Sequence, residues 1–126
     1  MPPEPLGILL LDGGFERAHY AFMLAAGAGA VGRRVVLFAT NRACFALCDD
    51  WSGLADAGLD DLYRGRGVAG LTELRDAAAE LGAILMACDS GMRIAGLEPT
   101  ALLAGVTVAG IPTFLSTVGG GQLLSL

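Results

Sequence analysis

The chain alternates between uninterrupted apolar runs and amphipathic stretches, and this alternation carries most of its structural information. Leu6 to Leu11 is a continuous apolar run closed by Asp12-Gly13-Gly14. Such a run bounded by turn residues predicts a parallel strand buried on both faces. Phe15 to Val31 predicts a helix, with Leu24, Ala25, Ala28 and Val31 recurring on an inner face and Glu16 in the first turn, where the helix dipole favours an acid. Gly32 stops it, and Val35 to Ala39 predicts a second buried strand.

Thr40 to Gly70 is the least regular part of the chain. Ala43 to Asp50 is expected as a short helix. Ser52 to Gly67, rich in Gly, Asp and Arg, is expected to be partly mobile. Thr72 is the expected N-cap of a helix running to Leu81, with Leu74, Ala77, Ala78 and Leu81 facing inward and Gly82 past its end. Ala83 to Ala87 predicts a third strand. Short helices follow over Ser90 to Ala95 and Pro99 to Ala104, then a short strand over Val106 to Val108. Ile111 to Val118 is helical, with Pro112 tolerated in a first turn, and Gln122 to Leu126 predicts the last strand. Strands and helices in this order predict an α/β fold: a single-domain three-layer sandwich on a mostly parallel sheet of about five strands.

Length and composition fit that picture and add two points. With 126 residues the chain is expected to form one domain over 1–126, large enough to fold without disulfides or a structural metal. Apolar residues make up 54%, above the usual ~45–50%. Either the core is large for the length or an apolar surface is covered by another subunit; the second is favoured, so a homo-oligomer is expected. The net charge is −5, and every basic residue is an arginine with no basic stripe among them, which argues against nucleic-acid binding. Met1-Pro2-Pro3-Glu4-Pro5 has neither the charge nor the apolar core of a signal peptide. No charge occurs from Pro99 to Leu126, but Pro112 and Gly119-Gly120-Gly121 argue against a membrane span there. The three cysteines, without an export signal, argue for a cytoplasmic protein rather than a disulfide framework.

Open parallel sheets bind ligands beyond the carboxyl ends of their strands. Asp12, Gly13 and Gly14 follow the first predicted strand; the glycines are expected to allow a tight turn, and the turn is also a candidate ligand-binding site for a small anion. Cys44 and Cys48 follow the second, and Cys88 the third, so all three thiols are expected at one sheet edge. Cys88 stands where a strand ends and a helix begins. The N–H groups of Ser90, Gly91 and Met92 are expected to face its sulfur and favour the nucleophilic thiolate. Asp89 opposes this and Arg93 is a candidate helper. Packing as a small apolar residue is the alternative for Cys88. Cys44 and Cys48 form a C-x3-C pair, open to a resolving-thiol role or to simple helix packing. A metal would need two further ligands, and only Cys88, His19 and scattered carboxylates are available, so none is expected, and no organic cofactor is expected. His19, the only histidine, is expected to pack at the surface or partly buried, with a role as proton donor as the alternative.

Several segments resemble the DsrE/DsrF-like family of small sulfur-relay proteins. These are Leu6 to Phe15, then Gly32 to Thr40, then Gly70 to Cys88 followed by Ser90, Met92, Gly96 and Leu97, and finally Val108 to Leu115. Together they span nearly the whole chain. The resemblance implies a compact α/β fold assembled as trimers or hexamers. It implies that Cys88 matches the cysteine that carries a persulfide, loaded by a small sulfur-carrier or desulfurase protein and unloaded to the next partner. Two alternatives remain open: a non-catalytic oligomeric binding or scaffold subunit, and a thiol redox protein pairing Cys88 with Cys44 or Cys48.

Overall fold

The computed structural model describes residues 3–126; of the N-terminal stretch read above, Met1 and Pro2 lie outside the described residues. The elements are β1 (Leu6–Leu10), α1 (Phe15–Ala30), β2 (Val35–Ala39), a 3-10 helix (Asn41–Leu47), α2 (Leu59–Gly65), α3 (Leu71–Glu80), β3 (Ile84–Cys88), α4 (Asp89–Ala95), a 3-10 turn (Pro99–Ala101), β4 (Thr107–Ala109), α5 (Ile111–Val118) and β5 (Leu123–Ser125). The five strands form one wholly parallel sheet in the order β4-β3-β2-β1-β5. This is the expected α/β sandwich.

The strand order decides how the helices divide. From β1 to β4 each step moves the same way across the sheet, so right-handed crossovers place every connecting helix on one face. The step from β4 to β5 runs back across the whole sheet, so α5 takes the opposite face alone. The packing follows this division. The larger core joins Ile8, Leu10, Leu37, Ala39, Leu85 and Ala87 of the strands to α1, the 3-10 helix, α3 and Met92. The smaller joins Val36, Phe38, Met86 and Cys88 to Phe114 and Val118 of α5. Phe114 stacks on Phe38 at 4.9 Å between ring centroids. Val118 fits against Gly7, where an added Cβ would lie 2.6 Å from its Cγ2.

The structure departs from the sequence expectations where tertiary contacts intervene. In α3 the inward positions are Leu71, Arg75 and Ala78, while Leu81 is 49% exposed. The phase differs because Arg75 is drawn inside, its Nη1 donating to the carbonyls of Ala46 at 2.9 Å and Cys48 at 2.7 Å. The N-cap of α3 is Gly70, not Thr72. Asp60 of α2 accepts the Leu71 N–H at 2.8 Å, and the Thr72 hydroxyl accepts the Trp51 indole N–H at 3.0 Å. Ser52 to Gly67 is anchored: it carries α2, Ala55 exchanges backbone hydrogen bonds with Gly13 and Phe15, and Tyr63 packs edge-on to Phe15 and His19. Val31, expected inside, caps α1 and is 76% exposed.

Phe114 is the main anchor of α5. Truncation to alanine in a closed core costs about 3–5 kcal/mol. Phe114→Ala is expected to lower unfolding free energy by about that amount, against less than about 0.5 kcal/mol for the exposed Leu115→Ala, as measured by urea denaturation.

Candidate functional site

Cys88 ends β3 and is the N-cap of α4. Its backbone is extended, and the Gly91 N–H donates to its sulfur at 3.4 Å. That close start of α4 depends on Gly91, because an added Cβ would run into the Asn41 backbone nitrogen and lie 2.8 Å from the Thr40 hydroxyl oxygen. Cys88 keeps 9% of its surface exposed. Around it on the α5 side lie Met86, Phe38, Phe114 and, by strand register, Ala109.

The neighbours expected to tune Cys88 are arranged differently from one another. Gly91 supplies the N–H; Ser90 is exposed, and Met92 is buried in the larger core. Arg93 pairs with Asp89, Nη2 to Oδ2 3.5 Å, one turn apart on the exposed side of α4. The guanidinium thus offsets the adjacent carboxylate.

Cys44 and Cys48 do reach the same end of the sheet, but as sealed packing groups on the other face. Cys44 is fully buried and its thiol donates to the Ala39 carbonyl at 3.4 Å. Burial pushes this thiol up to about 12, while the neighbouring Cys88 backbone N–H pulls weakly the other way. Cys48 is 2% exposed, donates to the Cys44 carbonyl at 3.6 Å, and is also pushed up by burial, with the Arg75 guanidinium opposing. Strand alternation explains the division. Ala87 points into the core that holds Cys44, so Cys88, the next residue, points to the opposite face.

The Asp12-Gly13-Gly14 turn lies at the same end of the sheet, two strands from Cys88 and hence about 10 Å away. Asp12 Oδ1 accepts the Gly14 N–H at 2.7 Å, so the turn is closed by its own side chain. With Asn41, Arg42 and Asp56 it lines an open hollow of about 590 Å³. His19 is elsewhere: it is buried on the larger-core side among Phe15 and Tyr63, and its Nε2–H donates to the Ala69 carbonyl at 2.8 Å. Among the described residues no group of three or more His, Cys, Asp and Glu side chains is placed to hold a metal ion, and no helix is long and apolar enough to cross a membrane. The residue that sequence reasoning missed is Arg75. Its only signal was the spacing of Leu71, Arg75 and Ala78 at i, i+4 and i+7.

The raised Cys44 thiol links stability to pH. Its native value of about 12 exceeds the ordinary 9.0, so the folded state holds this proton where the unfolded chain releases it. The associated stability is complete below pH about 9 and is lost as pH rises towards 12, at up to about 1.4 kcal/mol per pH unit. Cys44→Ala is expected to show a smaller stability loss between pH 8 and pH 10.5 than the parent chain, measured by urea titration at each pH.

No family model matches this chain, and no curated protein matches it. Solved structures do. The chain is similar to the YchN protein of E. coli, a DsrE/DsrF-like fold protein, with a TM-score of 0.72 at 12% identity over 98% of this chain and 99% of that one. It is also similar to MTH1491, a protein of unknown function from Methanobacterium thermoautotrophicum, with a TM-score of 0.59 at 17% identity over 98% and 100% of the two chains. At these identities the likeness is one of fold, and the fold is the α/β arrangement of the DsrE-like neighbours.

Proposed function

We propose that this chain is a cytoplasmic sulfur-relay protein, a single DsrE/DsrF-like domain over 1–126 that carries a sulfane sulfur as a persulfide on Cys88. The observation that carries this reading is the contrast among the three thiols. Cys88 alone caps a helix, with the Gly91 N–H on its sulfur, and keeps 9% of its surface exposed, while Cys44 and Cys48 are sealed at 0% and 2% with their thiols pushed up by burial. The donor is a persulfide on a small sulfur-carrier or desulfurase protein. The Cys88 thiolate attacks the donor's outer sulfur, a new S–S bond forms at Cys88, the donor's S–S bond breaks, and the donor thiolate leaves. An acceptor thiolate then attacks the terminal sulfur and Cys88 departs as thiolate. The two transfers move one sulfur atom without net oxidation, so neither a metal nor an organic cofactor enters. The Gly91 N–H stabilises negative charge at the Cys88 sulfur in both steps. The working form is a homo-oligomer, as the apolar excess suggests, and a trimer or hexamer, as the resemblance to the DsrE/DsrF-like family implies.

The low exposure of Cys88 favours one second reading, a non-catalytic scaffold subunit with an inert thiol. The placement of Cys44 across the sheet from Cys88, and the burial of Cys48 against the Cys44 carbonyl, weigh against a redox pair with either.

Intact-mass analysis after exposure to a persulfide donor separates these readings. The parent chain is expected to gain one sulfur atom that reductant removes. Cys88→Ser is expected to gain none, and the Cys44→Ser/Cys48→Ser variant to gain it as the parent does. A folded parent chain that gains no sulfur from several donors would sink the relay reading in favour of the scaffold.

A further inference from the structure

We infer that the hollow between α1 and the edge strand β5 binds a small anionic amphiphile, an apolar chain ending in a carboxylate that pairs with Arg33; this goes beyond the sulfur-relay reading and does not depend on it.

The strand order opens the hollow. β5 is reached from the α5 face, so no connecting helix is assigned to it on the larger-core face, where α1 packs over β1 and β2. Leu124 of β5 nevertheless turns towards that face. The result is a hollow of about 450 Å³. Sites for small molecules span roughly 300–1,000 Å³ and are mostly apolar with a few polar groups. Leu6 and Leu124 line this one from the sheet, and Tyr20, Met23, Leu24 and Val31 from the helix side. Tyr20 and Val31 are 57% and 76% exposed, and the helix rises about 16 Å between them, room for an extended chain.

Gly27 lies between those two and also lines the hollow. Glycine is the poorest non-proline residue inside a helix, so its place in α1 needs a reason. Packing supplies one for Gly29, where an added Cβ would lie 2.8 Å from Leu81 Cβ. At Gly27 an added Cβ meets nothing within 4 Å, and its backbone is helical. No contact within the chain requires this glycine; what it does is leave the hollow open.

Charge selects the occupant. No acidic residue lines the hollow, and Arg33 stands on its rim. Nη1 and Nη2 of Arg33 both donate to Gln122 Oε1 at 3.3 Å, long bonds to a neutral amide, and among the described residues Arg33 makes no salt bridge. The same two nitrogens form the fork that a carboxylate fits bidentately. The carboxyl end of α1 opposes an anion with about half a charge, but its Gly27 and Ala28 carbonyls already accept the Val31 and Arg33 N–H groups, so the full charge of the guanidinium prevails. Arg33 and Gln122 stand just before β2 and β5, whereas Cys88 ends β3, so the hollow and the thiol belong to opposite ends of the sheet.

Amide NMR of the full chain, titrated with decanoate below its micelle-forming concentration, tests the inference. Saturable shifts are expected at Gly27, Val31, Arg33 and the Gln122 side chain. Decanol, which keeps the tail, and acetate, which keeps the head, are each expected to bind at least about 10-fold more weakly. Arg33→Gln, an exposed substitution, is expected to lose affinity for decanoate by a similar factor. Gly27→Leu fills the hollow with a better helix former and is expected to abolish the shifts while circular dichroism shows it folded. Decanol binding as tightly as decanoate, or Arg33→Gln binding as the parent does, would overturn the carboxylate assignment. Unchanged binding by folded Gly27→Leu would overturn the site. Shifts at the same residues on changing protein concentration without ligand would assign the hollow to another copy of the chain and overturn it too. Sulfur loading is read by mass at Cys88, so either idea can fail while the other stands.

Discussion

Parallel strands joined by right-handed crossovers leave little freedom in where a connecting helix can lie. In this chain three successive crossovers move the same way, from β1 through β4, and one returns from β4 to β5. Three layers result, but unequal ones. One face receives α1, the 3-10 helix and α3 and supports the main core. The other depends on α5 alone, held by the Phe114–Phe38 stack and by Val118 lying over Gly7. The same constraint brings the loops after β1, β2 and β3 to one end of the sheet. The candidate thiol, the glycine turn and the C-x3-C pair meet there because strand direction puts them there.

Strand alternation then separates thiols that the chain order had grouped. Ala87 and Cys88 are adjacent, yet one faces Cys44 and the other faces α5. A shift of one residue in the β3 register would exchange them and bury Cys88 in the larger core. The register is held by pairing on both sides, Ala39 to Ala87 and Cys88 to Ala109. Whether a cysteine becomes a packing group or a candidate nucleophile is settled here by side-chain parity, with residue type and loop position unchanged.

What was legible in the sequence follows from how local each cause is. Val35–Ala39 and Ile111–Val118 have the bounds that the pattern predicts, because turn residues or a proline mark their ends. Cys88 at a strand-to-helix junction was legible for the same reason. The phase of α3 was not, because Arg75 is inside for the sake of carbonyls from a different element. The true cap of α3 comes from Asp60, eleven residues before Leu71, so no local signature announces it. Ser52 to Gly67 looked mobile by composition, but its order rests on Ala55 with the β1 turn and on Tyr63 against Phe15 and His19. Opposite placement of Cys44 and Cys88 needed the sheet, since spacing along the chain carries no information about face.

Arg75 connects these points. It is 3% exposed, and among the described residues its guanidinium makes no salt bridge, while its Nε has no hydrogen-bond partner. Burial lowers its pKa from the ordinary value, against the opposing pull of Asp76 and Asp49. Such a group is costly, and what offsets it is the end of the 3-10 helix, whose Ala46 carbonyl and the Cys48 carbonyl beyond it accept from Nη1. That contact fixes the Asn41–Leu47 helix, and the backbone of Asn41 is the surface against which Gly91 packs. Gly91 in turn presents its N–H to Cys88. A chain of contacts thus runs from the buried cation on α3 through the 3-10 helix to α4 and the donor at the candidate thiol, without the cation approaching the thiol itself.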